Sequence, residues 1–179
     1  TKALMISYPN NPTGAIMERK DLEPLVDLII EHDLVVITDE IYSELSYNGS
    51  HVSIASMPGM QERTILINGF SKAYAMTGWR LGYVLAPAMI TKYMLKIHQF
   101  AIMSSPTTSQ YAAVAALREG DNDIKTMRDS YNQRRRYLMD AFKKIGLPCF
   151  EPYGAFYVFP DISEFGMSSE DFCTALLME

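Results

Sequence analysis

Cysteine is scarce in this chain: Cys149 and Cys173 are the only two. Two thiols so placed build no disulfide framework and match no metal-ligand spacing, and a reducing, cytoplasmic setting is expected. His32, His51 and His98 stand far apart, so no paired-histidine motif forms either. There is no run of about 18 apolar residues and no signal-peptide pattern at the start, so no membrane partner is expected. Cationic excess is missing too. Sixteen Lys and Arg stand against 21 Asp and Glu, a formal net charge of −5, which argues against a nucleic-acid partner. The one basic run, Arg134-Arg-Arg136, reads as the solvated face of a helix. Neither Gly-x-Gly-x-x-Gly nor Gly-x-x-x-x-Gly-Lys-Ser/Thr occurs, so a nucleotide-binding reading has no phosphate loop to rest on.

What is present is a globular composition, 48% hydrophobic and 21% charged over 179 residues, enough for one ordinary domain or parts of two. Thr1 leads directly into a strand-like run, and the last helical pattern stops at Leu176-Leu-Met-Glu179. A piece of a longer protein is therefore expected.

Ala3–Ile6 reads as a short buried strand, ended by the turn Tyr8-Pro-Asn-Asn-Pro-Thr-Gly14. Asp21–Glu31 carries apolar residues at 22, 25, 26 and 29, the helical period, with Pro24 expected in its first turn. Leu34–Thr38 is a β-branched run without polar alternation, as in a parallel strand covered on both faces. It delivers Asp39-Glu-Ile-Tyr42. Residues 43–63 read as a long excursion, Thr64–Ile67 as a further strand, and Leu81–Ala86 as another. Helices are expected over 89–103, 107–118 and 123–145, the last stopped by Gly146 and Pro148. Cys149–Pro160, including Gly154-Ala-Phe-Tyr-Val-Phe159, reads as short strands, and Ser168 opens a final helix. Trp79, Met94 and Met103 read as core packing.

Strand, helix, strand, excursion, strand is the order of an α/β fold with a mainly parallel sheet flanked by helices. Ligands in such sheets sit at the carboxyl ends of the strands. Asn11, Asp39, Tyr42 and Lys72 all follow strand ends and are expected to converge there. Taken singly, each has an ordinary reading: Asp39 as a helix cap, Tyr42 as a core aromatic, Asn11 and Ser71 as turn residues, Lys72 as a surface lysine, Arg80 as half of a surface ion pair.

Together they carry more. Asn11-Pro-Thr-Gly14, Asp39-Glu-Ile-Tyr42 and Ser71-Lys72 followed by Gly78-Trp-Arg80 resemble the signature of class I/II aminotransferases, the fold-type-I pyridoxal-phosphate enzymes. The resemblance runs through nearly the whole chain, including Gly154-Ala-Phe-Tyr157. It is nearest to the branch holding aspartate, aromatic and N-acetyl-diaminopimelate aminotransferases. It implies residues 1–120 as part of a large cofactor-binding domain, 121–146 as a bridging helix and 147–179 as the start of a small α+β domain.

It further implies pyridoxal 5'-phosphate as cofactor, held by Lys72 as a Schiff base. The freed lysine would then move the substrate's Cα proton. Asp39 would pair with the pyridine nitrogen, while Tyr42 and Asn11 would bond the phenolic oxygen. Arg80 would grip the phosphate bidentately with Ser71 adding a hydroxyl, and Gly69 and Gly78 would let backbone approach the cofactor. The implied substrates are an amino acid and a 2-oxo acid, and the implied assembly is a homodimer. The arginine for the substrate carboxylate, the glycine-rich phosphate cup and the aromatic stacked on the ring fall outside these 179 residues. A β-lyase of the same fold, or a non-catalytic scaffold, are the alternative readings.

Overall fold

The carboxyl ends of three parallel strands lie side by side at one edge of a sheet, and this register organises the rest. In the computed structural model, which describes residues 1–179, β1 (Ala3–Ser7) pairs with β2 (Val35–Asp39) and β2 with β3 (Thr64–Gly69), all parallel. Ser7 stands opposite Asp39, and Asp39 opposite Ile67. A fourth strand, β4 (Gly82–Leu85), closes the edge antiparallel to β3, giving the order β1-β2-β3-β4. The short connection between β3 and β4 holds only a one-turn helix, α2 (Phe70–Ala73), and a 3-10 turn. A parallel return needs a longer crossover, so the chain comes back antiparallel.

Helix α1 (Arg19–Glu31) lies on one sheet face. Its Leu22, Val26 and Ile29 pack with Val36 and with Ile54, Met57 and Met60 of the excursion, all nearly solvent-free. At about 1.5–3 kcal/mol for each large side chain removed from water, this cluster is the main hydrophobic contribution to stability. The other face is not covered alike. Val36 and Thr38 are buried, Val35 and Ile37 only half so, and Met5 of β1 is 74% exposed. The expectation of a strand covered on both faces is corrected accordingly: side chains alternate across the sheet, and only the α1 side carries a dry core.

Helix α1 begins earlier than its apolar period suggests. The Glu18 N–H donates to the Asp21 carboxylate at 2.9 Å, setting the start at Arg19. Pro24 therefore falls in the second turn, not the first. The Lys20 carbonyl loses its helix donor, a small cost because Lys20 is exposed to water.

The helices α3 (Ala88–Ala101), α4 (Thr107–Glu119) and α5 (Asp121–Ile145) follow, with Gly146 in the left-handed conformation ending α5. No helix is long and apolar enough to cross a membrane. Met103 lies beyond α3 and is 79% exposed, and Trp79 is 47% exposed, so neither is the core residue expected. Helix α6 (Ser169–Met178) is capped by the Ser168 hydroxyl, which accepts the Asp171 N–H.

No strand forms over 149–160. Only two isolated bridges occur, Ser46 with Gly154 and Cys149 with Pro160. Ala155 adopts a positive φ of 57°, and the local hydrogen bonds go to two different partners. Gly154 N–H donates to Gly14 and Ala155 N–H to Leu45, both at 2.9 Å. The segment is a clasp joining the turn after β1 to the loop after β2, and a ladder cannot form around it.

Gly154 makes that clasp possible. A Cβ there would stand 2.4 Å from Pro9 Cβ and 2.8 Å from Ile16 Cγ2. Gly154→Ala is expected to lose roughly 1–3 kcal/mol in urea denaturation. Gly78→Ala, where φ is not in the left-handed region and a Cβ meets nothing within 4 Å, should lose less.

Candidate active site

Leaving the strand ends, the chain carries Asp39 on the sheet face opposite α1 and Glu40 on the α1 side. Asp39 Oδ1 accepts the Ile41 N–H at 3.1 Å, a local turn that explains its cap-like place in the sequence. The other carboxylate oxygen takes no hydrogen bond and no cation pairs with it. Tyr42 is 5% exposed, and its hydroxyl lies 2.7 Å from that of Tyr157. Burial pushes its pKa up.

Lys72 sits in α2 immediately beyond β3. Its Nζ lies 5.8 Å from the Tyr42 ring centroid and 5.5 Å from that of Phe156. No carboxylate is within ion-pair distance, so the ordinary surface lysine with a carboxylate partner is not what the fold builds. Two clusters hold this corner: Phe70, Met76 and Ala113 under the lysine stretch, and Tyr42, Leu45 and Ala155 beside it.

The structure thus brings Lys72 and Tyr42 together, with Asp39 close enough to act on Tyr42. Asn11, Ser71 and Arg80 sit on the turns that leave the same strands but make no hydrogen bond to these three. In the first turn Asn10 does the stapling: Thr13 donates to its Oδ1 through both N–H and Oγ1, and its Nδ2 donates to Ser7 O. Asn11 is left exposed, free of turn duty. Arg80 has a left-handed φ of 53°, donates to Thr77 O at 2.9 Å and has no acidic partner. Ser109 of α4, 3% exposed, anchors this corner by donating to Trp79 O at 2.7 Å.

The two glycines differ. A Cβ on Gly69 would meet Gly82 Cα at 3.0 Å, so strand-to-strand approach accounts for that glycine, in place of the cofactor approach expected. A Cβ on Gly78 would meet nothing within 4 Å.

Three features escaped the sequence reading. Glu40, 3% exposed, accepts from Ser53 Oγ at 2.8 Å and Thr38 Oγ1 at 3.1 Å, with His51 Nε2 at 2.9 Å. This buried carboxylate ties the excursion to the end of β2. Arg135, expected on a solvated face, is nearly buried: it pairs with Glu151 and lies 5.5 and 5.8 Å from the Tyr47 and Tyr153 ring centroids. The run of three arginines conceals it, because a helix turns each one toward different surroundings. Tyr157 and Phe156 complete the surroundings of Tyr42 and Lys72. The signal available was the Gly154-Ala-Phe-Tyr157 stretch, which carries part of the resemblance but no stated site role.

Comparison with known proteins gives matches along the whole chain. The family model for aminotransferase class I and II matches residues 1–179. An aspartate aminotransferase of Pyrococcus abyssi is 47% identical over all of this chain and 47% of its own length. An aromatic-amino-acid aminotransferase of Thermococcus litoralis is 44% identical, again over all of this chain and 47% of its own. The crystal structure of an aromatic aminotransferase from Pyrococcus horikoshii superposes with a TM-score of 0.95 at 45% identity, covering 99% of this chain and 48% of that one. The chain spans about half the length of the curated relatives it matches.

Burial pushes the Tyr47 phenol up to about 12 against the opposing charge of Arg135. The raised pKa means that Tyr47's contribution to stability is full below pH 10 and is lost as pH rises from 10 through 12. The slope should be no steeper than about 1.4 kcal/mol per pH unit. Urea denaturation between pH 9 and 11.5 is expected to show a smaller loss for Tyr47→Phe than for the parent chain.

Proposed function

The chain belongs to the class I and II aminotransferase family, and on that footing we propose that the whole protein transfers an amino group between an amino acid and a 2-oxo acid using pyridoxal 5'-phosphate. The observation that carries this reading is the Lys72 amine seated against Tyr42, with Asp39 leaving the same end of the sheet. The donor set suits the cofactor. Lys72 and Arg80 are cations without an acidic partner, Asp39 is a carboxylate without a cation, and Tyr42 is a phenol inside a mostly apolar wall. An aldehyde, a phosphate, a protonated ring nitrogen and a phenolic oxygen would complement them in turn. When bound, the cofactor supplies an electron sink for charge developing at the substrate's α-carbon.

The chain's own groups would then divide the work. Lys72 would tether the aldehyde carbon through its amine and, once released, would move the proton at the substrate's Cα. Asp39 would hold a proton on the ring nitrogen by charge pairing. Tyr42 and Asn11 would bond the phenolic oxygen. Arg80 would offer a planar fork to the phosphate, with Ser71 adding one hydroxyl.

Residues 1–120 are read as part of the large cofactor-binding domain, 121–146 as the bridging helix and 147–179 as part of the small domain. The unbroken run of α5 supports that division. A homodimer, in a cytoplasmic setting, is the assembly we take the whole protein to form. Met89, Tyr93, Ile97 and Phe100 make one exposed stripe along α3, Phe100 being 95% exposed, which supports a covered surface there.

Pyridoxal 5'-phosphate added to the purified chain is expected to give an absorbance band near the visible edge, lost in Lys72→Ala. Arg80→Ala should keep the band but weaken cofactor affinity by about 10–100-fold, the worth of charge-assisted hydrogen bonds. No band in the parent chain, or the same band in Lys72→Ala, would overturn the reading.

A further inference from the structure

Tyr157 comes from the clasp beyond α5, yet its hydroxyl meets that of Tyr42 at 2.7 Å across 115 residues of sequence. The backbone before it is held by Gly154 donating to Gly14 and Ala155 donating to Leu45, and by the Tyr47 hydroxyl donating to Ala155 O. Its ring packs 4.9 Å from Phe156 and 5.8 Å, near edge-on, from Tyr42.

A phenol has one proton to donate. In the contact between two hydroxyls, one of them commits its proton to the other. If Tyr42 were the donor, it would face an anionic oxygen in the site with lone pairs alone. If Tyr157 is the donor, the Tyr42 proton stays free to point into the site. A hydroxyl that accepts a hydrogen bond is also polarised into a stronger donor.

We propose that Tyr157 is a positioning residue that acts through Tyr42: it donates to the Tyr42 oxygen and so directs and strengthens the Tyr42 hydrogen bond to the cofactor's phenolic oxygen. The inference rests on the pyridoxal phosphate reading above. It makes the clasp part of the site's electrostatics, because the group that sets the Tyr42 proton belongs to the stretch joining α5 to the sheet loops.

The test is a spectroscopic pH titration of the cofactor-loaded chain. Weaker donation from Tyr42 leaves more negative charge on the phenolic oxygen, which holds the neighbouring proton more tightly. The pH midpoint of the visible band therefore rises. One neutral hydrogen bond, expressed as a pH shift, predicts a rise of roughly 0.4 to 1 in Tyr157→Phe. Tyr42→Phe should raise the midpoint at least as far, and the double variant no further than Tyr42→Phe alone. Tyr131→Phe, which removes a hydroxyl from the same aromatic cluster, should leave it in place. A midpoint unmoved in Tyr157→Phe, or shifts that simply add in the double variant, would overturn the inference while leaving the cofactor reading intact. A parent chain with no band removes the cofactor reading and this inference with it.

Discussion

The parallel register of β1, β2 and β3 is the constraint on which the candidate site depends. Because Ser7, Asp39 and Ile67 stand abreast, the chain leaves β1 and β2 at one level and β3 two residues further on, the strands about 4.8 Å apart. The groups on the exits then fall within reach of one another. A slip of one residue in β2 would carry Asp39 to the α1 face and Glu40 to the other. The α1 core opposes that slip: Val36 and Thr38 would leave their buried places, and Val35 and Ile37 would have to fill them.

Two kinds of charged group meet at this end of the sheet. Glu40 is buried and satisfied by two hydroxyl donors and His51, so its work is structural: it holds the excursion against β2. Asp39, Lys72 and Arg80 have no ionic partner within the chain. Charged groups left without partners add nothing to folding on their own account, which is consistent with the cofactor role proposed for these three. Sequence neighbours thus acquire different duties simply by pointing to opposite faces of a strand.

The clasp formed by residues 152–157 links the parts. It sits where the turn after β1, the loop after β2 and the start of α5 meet, and it is locked by a glycine that admits no Cβ. In a fold whose strands pair mostly with close neighbours in sequence, this contact at long separation brings Phe156 and Tyr157 to Lys72 and Tyr42. The 152–157 stretch and the lysine stretch therefore share one wall of the candidate site.

Much of this was legible beforehand. The strands and the main helices could be read from apolar runs and helical periods, because these are local properties of the chain, while the family resemblance of three short motifs named Lys72, Asp39, Tyr42, Asn11, Ser71 and Arg80 as candidates. The start of α1 was misread because an Asp21 carboxylate reaching back to the backbone leaves no apolar trace. The 149–160 strands were overcalled because alternating aromatics say nothing of whether a partner strand lies alongside. Arg135 in its pocket, the Glu40 cluster, the packing role of Gly69 and the hydroxyl pair of Tyr42 and Tyr157 depend on residues far apart in sequence. By itself the sequence determined which chemical groups are present and on which local element each stands. Only the tertiary structure decided which of them touch, because contact at long separation is set by register and packing, which no short stretch encodes.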